Sequence, residues 1–152
     1  MNANEKLSGQ GGTTVDRVRL DQLRGRLALP QSLADILTLM PLIGIKLWLS
    51  SESDLSGLGA GMQWMSPEQM IDEASHAYPG IVAVPRGYFP VGICLEGSGD
   101  PYFYRGADGA IVRIPHGAAS EKDLNESAIE VVADSVESLV VRADVEPVAP
   151  DE

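Results

Sequence analysis

The most apolar part of the chain, Leu27 to Leu49, is cut by Pro30, Pro41 and Gly44 and carries Asp35 and Lys46. Proline lacks a backbone donor and ends helices, so this stretch must fold as short pieces. A continuous membrane span of about 20 apolar residues is excluded. Between the two prolines, Leu33, Ile36, Leu37 and Met40 recur at the spacing of one helical face. After Pro41, LIGIKLWL reads as a strand over Leu42–Leu49, with Ile43, Ile45, Leu47 and Leu49 on one side.

The same reading extends along the chain. Thr14 is a candidate cap for a helix carrying Val18, Leu20, Leu23 and Leu27. Met62 and Trp64 alternate with Gln63 and Met65 in a short strand, after a glycine-rich connection at 50–61. Ser66-Pro67-Glu68-Gln69 is a strong helix start: serine caps, proline suits the first turn, and glutamine can bond back to the cap. That helix is expected to end near Ala77, before Pro79-Gly80. Phe89–Tyr104 reads as strand, turn, strand, with GSGD at the turn. A further turn at Ala107-Asp108-Gly109 leads to a strand at Ala110–Ile114. Ala128–Ala133 is a last expected strand, and Asp134-Ser135 opens a short helix burying Val136, Leu139 and Val140. Helices, strands, one helix, a meander of strands and one helix predict an α+β single domain, a largely antiparallel (mixed) sheet with helices packed on it.

At 152 residues the chain suits one domain. Residues 1–14 hold no apolar run of the kind a signal peptide needs and are expected to be a disordered N-terminal segment. Residues 15–141 form the expected domain, and 142–152, RADVEPVAPDE, are an expected acidic disordered tail. The single cysteine, Cys94, cannot close an intrachain disulfide, so a cytoplasmic location is the default expectation.

Charge narrows the choice of partner. The net charge is −11, and residues 96–152 alone hold thirteen acidic and four basic side chains. Phosphate binding needs a basic surface, so neither nucleic acid nor an anionic membrane is expected as a direct partner. A cationic protein fits better.

Motifs for chemistry are weak. Gly57-Leu58-Gly59-Ala60-Gly61 precedes a strand instead of linking a strand to a helix, so it does not meet the requirements of a phosphate loop. Glu73 and His76 have the spacing of two metal ligands, but only one other histidine exists, His116, and no second Glu-x-x-His pair. Cys94 lies in an apolar strand, where a buried and inert thiol is expected. No catalytic residue, metal or cofactor is assigned.

Aromatic residues supply the remaining signal. Trp64, Tyr88, Phe89, Tyr102, Phe103 and Tyr104 cluster in mid-chain. Alternation puts Tyr102 and Tyr104 on one face and Phe103 on the other. An exposed Tyr/Trp set beside carboxylates is the composition of a protein-binding surface.

Taken together, Leu29-Pro30 and its helix, the Trp64 strand with the Ser66–Ala77 helix, the Phe89–Tyr104 hairpin with Gly99-Asp100, Gly109–His116, and Ala133-Asp134-Ser135-Val136-Glu137-Ser138-Leu139 resemble the SUKH superfamily. The resemblance covers Leu29 to Val140, with Val136 where the family commonly has an aromatic residue and no Asn-Gly after Met40. It implies an α+β fold without enzymatic activity. Bacterial members are commonly immunity proteins that neutralise a toxin, often a nuclease, by binding it. Eukaryotic relatives act as interaction scaffolds. The expected function is therefore an immunity protein holding a cationic toxin domain, the alternative being a housekeeping scaffold; a homo-oligomer is left open. The expected partner-binding residues are Glu96, Asp100 and Asp108 with the exposed members of Trp64, Tyr102 and Tyr104.

Overall fold

The computed structural model describes residues 1–149. Seven strands form one sheet in the order β6-β5-β4-β3-β2-β1-β7, and every pairing is antiparallel. The strands are β1 (Lys46–Leu49), β2 (Ala60–Trp64), β3 (Tyr88–Cys94), β4 (Tyr102–Arg105), β5 (Ile111–Arg113), β6 (Glu130–Ala133) and β7 (Asp144–Glu146). The helices are α1 (Ala3–Leu7), α2 (Arg17–Arg26), α3 (Gln31–Leu39), α4 (Pro67–His76), α5 (Gly80–Ala83) and α6 (Val136–Arg142). The architecture is the expected α+β domain.

Local chemistry sets the helix starts. Ser66 and Gln69 close a reciprocal capping box around Pro67 at the head of α4. Ser135 caps α6, which buries Val136, Leu139 and Val140. Asp16, not Thr14, caps α2: its carboxylate accepts the Arg19 amide at 2.8 Å. Ionised carboxylates are strong acceptors at the positive end of a helix. The strand expected over 42–49 begins only at Lys46, because Gly44 turns the chain at a φ of 85°.

Both faces of the sheet carry core. Leu47, Leu49, Met62, Trp64, Phe89, Tyr102, Tyr104 and Ile111 pack with Leu7, Leu23, Leu33, Leu37, Met70 and Leu139 from the helices. On the other face Tyr88, Phe103, Val112 and Ile114 are covered by Val82, Ala83, Ala118 and Leu124, from α5 and the short turns after β5.

Both ends of the chain depart from expectation. Residues 1–14 are not a disordered segment. Asn2 caps α1, Ala3 and Leu7 are fully buried, and Thr13 bridges to Ile43. The Ala3 amide donates to Glu137, and the Lys6 ammonium donates to the carbonyls of Val141 and Ala143 at the C-terminal end of α6. A cation satisfies the orphan carbonyls and negative dipole there. The C-terminal segment is likewise folded as far as it is described. β7 pairs with β1, Lys46 meets Glu146 at 3.4 Å, and the Val148 amide donates to the Gln10 carbonyl. Pro150, Asp151 and Glu152 lie outside the described residues.

Candidate functional site

The glycine-rich connection between β1 and β2 is tied to the sheet by one buried cation. Arg113 on β5 lies opposite Tyr102 on β4, its guanidinium 5.6 Å from the ring centroid. It donates to the Gly59 carbonyl at 3.0 Å, the Ser56 hydroxyl at 3.0 Å, the Tyr102 phenol oxygen at 3.2 Å and the Glu130 carboxylate at 2.8 Å. The carboxylate of Asp54, fully enclosed, lies 3.8 Å away and accepts from the amide and hydroxyl of Ser56. Burial opposes the charge on Arg113, but the hydrogen bonds to Glu130 and Tyr102 outweigh it, holding the pKa above the ordinary arginine value. Burial also pushes the Tyr102 phenol up, against the pull of Arg113.

Above this anchor, Leu58, Glu96, Asp100, Pro115 and Glu130 line a depression of about 360 Å³ with Arg113 in its wall. Leu58 is 64% exposed. Asp100 is held in place: it accepts the His116 amide at 3.1 Å and lies 2.6 Å from Nδ1 of the same residue. Glu96 and Asp100, four residues apart on one turn, thus line the same depression as the remote Glu130 and an exposed leucine, with Asp100 held by His116 and Glu130 by Arg113. The depression offers shape, apolar surface and acidic side chains.

Glu96 and Asp100 are therefore brought together, on the turn between β3 and β4. Asp108 is not with them. It sits in the turn at the opposite end of β4, where Arg105 grips its carboxylate at 3.0 and 2.8 Å and the Ala110 amide donates to it at 3.1 Å. These contacts, the Arg105 hydrogen bond first, hold its pKa below the usual aspartate range, and its carboxylate closes the turn.

The aromatic expectation is corrected outright. Trp64, Tyr102 and Tyr104 are 1%, 0% and 3% exposed, so none of them can meet a partner. Alternation does separate Phe103 from Tyr102 and Tyr104, but the sheet is covered on both sides there, so both sets are core. The Tyr104 hydroxyl is bonded to the Ser32 hydroxyl at 2.7 Å. Trp64 leaves its indole N–H buried without a hydrogen-bond partner among the described residues.

The aromatic side chains that do reach the surface are Tyr78, 42% exposed, beside Pro79 after α4, and Trp48, 36% exposed, on the sheet itself. The signal for Trp48 was in the sequence: it alternates with Leu47 and Leu49, so if they face the core it faces away. Leu55 and Leu58 are also exposed, and they sit in the glycine-rich connection, where apolar residues have no periodicity to explain them.

Other candidates resolve as structural. His76 pairs with Asp72 at 3.1 Å, while Glu73 accepts the Gly80 amide at 3.2 Å, so the two potential ligands face different partners. Burial raises the Glu73 pKa above its ordinary value, against the Gly80 hydrogen bond and the field of His116. Cys94 is only half-buried, its thiol beside the Glu96 backbone and the Ser98 hydroxyl. Among the described residues no three His, Cys, Asp or Glu side chains converge as metal ligands, and no helix is long and apolar enough to cross a membrane. No protein-family model matches the chain, and no curated protein matches it.

Proposed function

We propose that this protein is a non-enzymatic binding domain, an immunity protein that neutralises a cationic toxin domain in the cytosol by occupying its surface. The resemblance to the SUKH superfamily suggests the class. The observation that carries it is that the acidic side chains Glu96, Asp100 and Glu130 line one depression with the exposed Leu58. A nuclease domain is cationic where it holds phosphate, and such a surface is drawn to an acidic one faster than neutral surfaces meet. The apolar contact at Leu58 then supplies adhesion that salt does not screen.

Co-expression with the open reading frame beside its gene tests this reading, with cell survival and complex formation measured across a salt series. The expected result is rescue from a toxic neighbour, with association slowing about tenfold or more as salt rises. Exchanging Glu96, exposed and without an ion pair among the described residues, for lysine is expected to slow association further. An association rate indifferent to salt would remove the electrostatic mechanism. A harmless neighbour together with one co-purifying host protein would replace immunity by a housekeeping scaffold role.

A further inference from the structure

The second face of the sheet is covered only in part. Its core residues lie on β3, β4 and β5, beneath α5 and the turns after β5. On β1 and β2 the same face presents Lys46, Trp48, Gly61 and Gln63, which pair across the two strands. Trp48 lies directly opposite Gly61, and its six-membered ring fills the space a side chain there would take: a Cβ on Gly61 would fall 2.5 Å from Cζ3 and 2.6 Å from Cε3. The indole is thus seated on bare backbone with fixed orientation, while 36% of the residue remains open.

Two acidic residues flank it. Asp144 on β7 is the direct cross-strand neighbour of Trp48, a position that places side chains within about 5 Å at Cβ. On the other side the Glu96 methylene chain approaches the same point above Gly61, at 3.5 Å. Among the described residues neither carboxylate has an ion-pair partner, and the nearby Lys46 is engaged by Glu146.

We infer that Trp48, Glu96 and Asp144 form a receptor for an arginine side chain presented by a cationic protein. The partner's identity rests on the function proposed above; the chemistry of the site does not. A planar guanidinium stacks on an indole and presents a fork of donors to carboxylates, whereas an ammonium is a compact, strongly hydrated point charge. An apolar side chain in the same place would bury two carboxylates without recompense. A second copy of this chain is disfavoured by its charge of −11. Glu96 also borders the Leu58 depression, so the receptor and that depression form one continuous surface.

Hexa-arginine and hexa-lysine peptides, equal in charge, test the site on the full chain. The two tryptophan indole N–H signals are followed by NMR, with the buried Trp64 as internal control. The Trp48 signal is expected to move while Trp64 stays, with hexa-arginine preferred by about fivefold. Trp48→Ala, shown by circular dichroism to be folded, is expected to erase the preference; Glu96→Gln and Asp144→Asn each weaken hexa-arginine binding about twofold or more. Equal affinity for the two peptides, or an unmoved Trp48 signal, overturns the inference. So does a dimer in sedimentation that Trp48→Ala dissolves, which would give the face to a second copy. A toxin complex indifferent to Trp48→Ala would sink the receptor and leave the immunity function standing. Arginine preference at Trp48 with no toxic neighbour would do the reverse.

Discussion

Replacing Arg113 by methionine is the sharpest perturbation this fold offers. The side chain is 6% exposed and makes four hydrogen bonds, two of them to the connection between β1 and β2. Its loss leaves Asp54 enclosed with no cation, and Glu130 with its own partner gone. Removing one member of a buried ion pair costs about 3–5 kcal/mol, because the charge left behind is uncompensated. A domain has roughly 5–15 kcal/mol in total, so the variant should fold but poorly. At about 2–4 °C per kcal/mol for a chain of this size, the melting temperature should fall by about 6–20 °C. Urea titration followed by tryptophan fluorescence gives the free energy directly, and amide exchange should show the 50–59 segment opening first. Adding Asp54→Asn and Glu130→Gln removes the stranded charges and should recover half or more of the loss. A single variant costing under about 1 kcal/mol, or a triple variant no better than the single, would refute the view that Arg113 is held by charge compensation.

Three further expectations concern other parts of the fold. Leu7 is fully buried against the core, so Leu7→Ala should cost about 2–5 kcal/mol in urea denaturation; no loss would mean that α1 does not dock in solution. Ser66→Ala breaks the capping box of α4 and should cost about 1 kcal/mol, with Ser66→Asp close to neutral. Burial raises Glu73 above its ordinary pKa of 4.5 despite the opposing Gly80 amide and His116, with Asp72 adding repulsion. The folded state therefore holds this proton more tightly, so the stability it contributes is complete below pH 4.5 and lost as pH rises through the elevated value. Glu73→Gln keeps an acceptor for Gly80 and should gain on the wild type in melting temperature between pH 4 and pH 7; a difference independent of pH would contradict the assignment.

Much of the secondary structure was legible because it is encoded locally. The α4 capping box, the burial stripe of α6 and the strands around the Gly99 and Gly109 turns depend on residues a few positions apart. The ends of the chain were not legible for the opposite reason. α1 spans only five residues and β7 only three. Neither has a hydrophobic pattern long enough to register, and each is held by distant partners, α1 by α6 and β7 by β1.

The candidate site divides along the same line. The carboxylates of the β3–β4 turn were visible as acidic residues near a turn, but their lining one depression with Glu130 and Leu58 depends on Arg113 drawing a remote loop onto the sheet. Alternation correctly placed Tyr102 and Tyr104 on one face and Phe103 on the other, yet it carries no information on what lies above each face. Both sides are covered over β4, and the second face is open over β1, so the aromatic exposed on the sheet is Trp48. The sequence by itself determined the α+β class, the caps of α4 and α6, the side-chain alternation and the acidic field, since each follows from composition or from near neighbours. Only the tertiary structure decided which aromatics are core, which acidic residues line one depression and where the bare indole lies, because exposure is a property of the elements packed on a face, not of the residues within it.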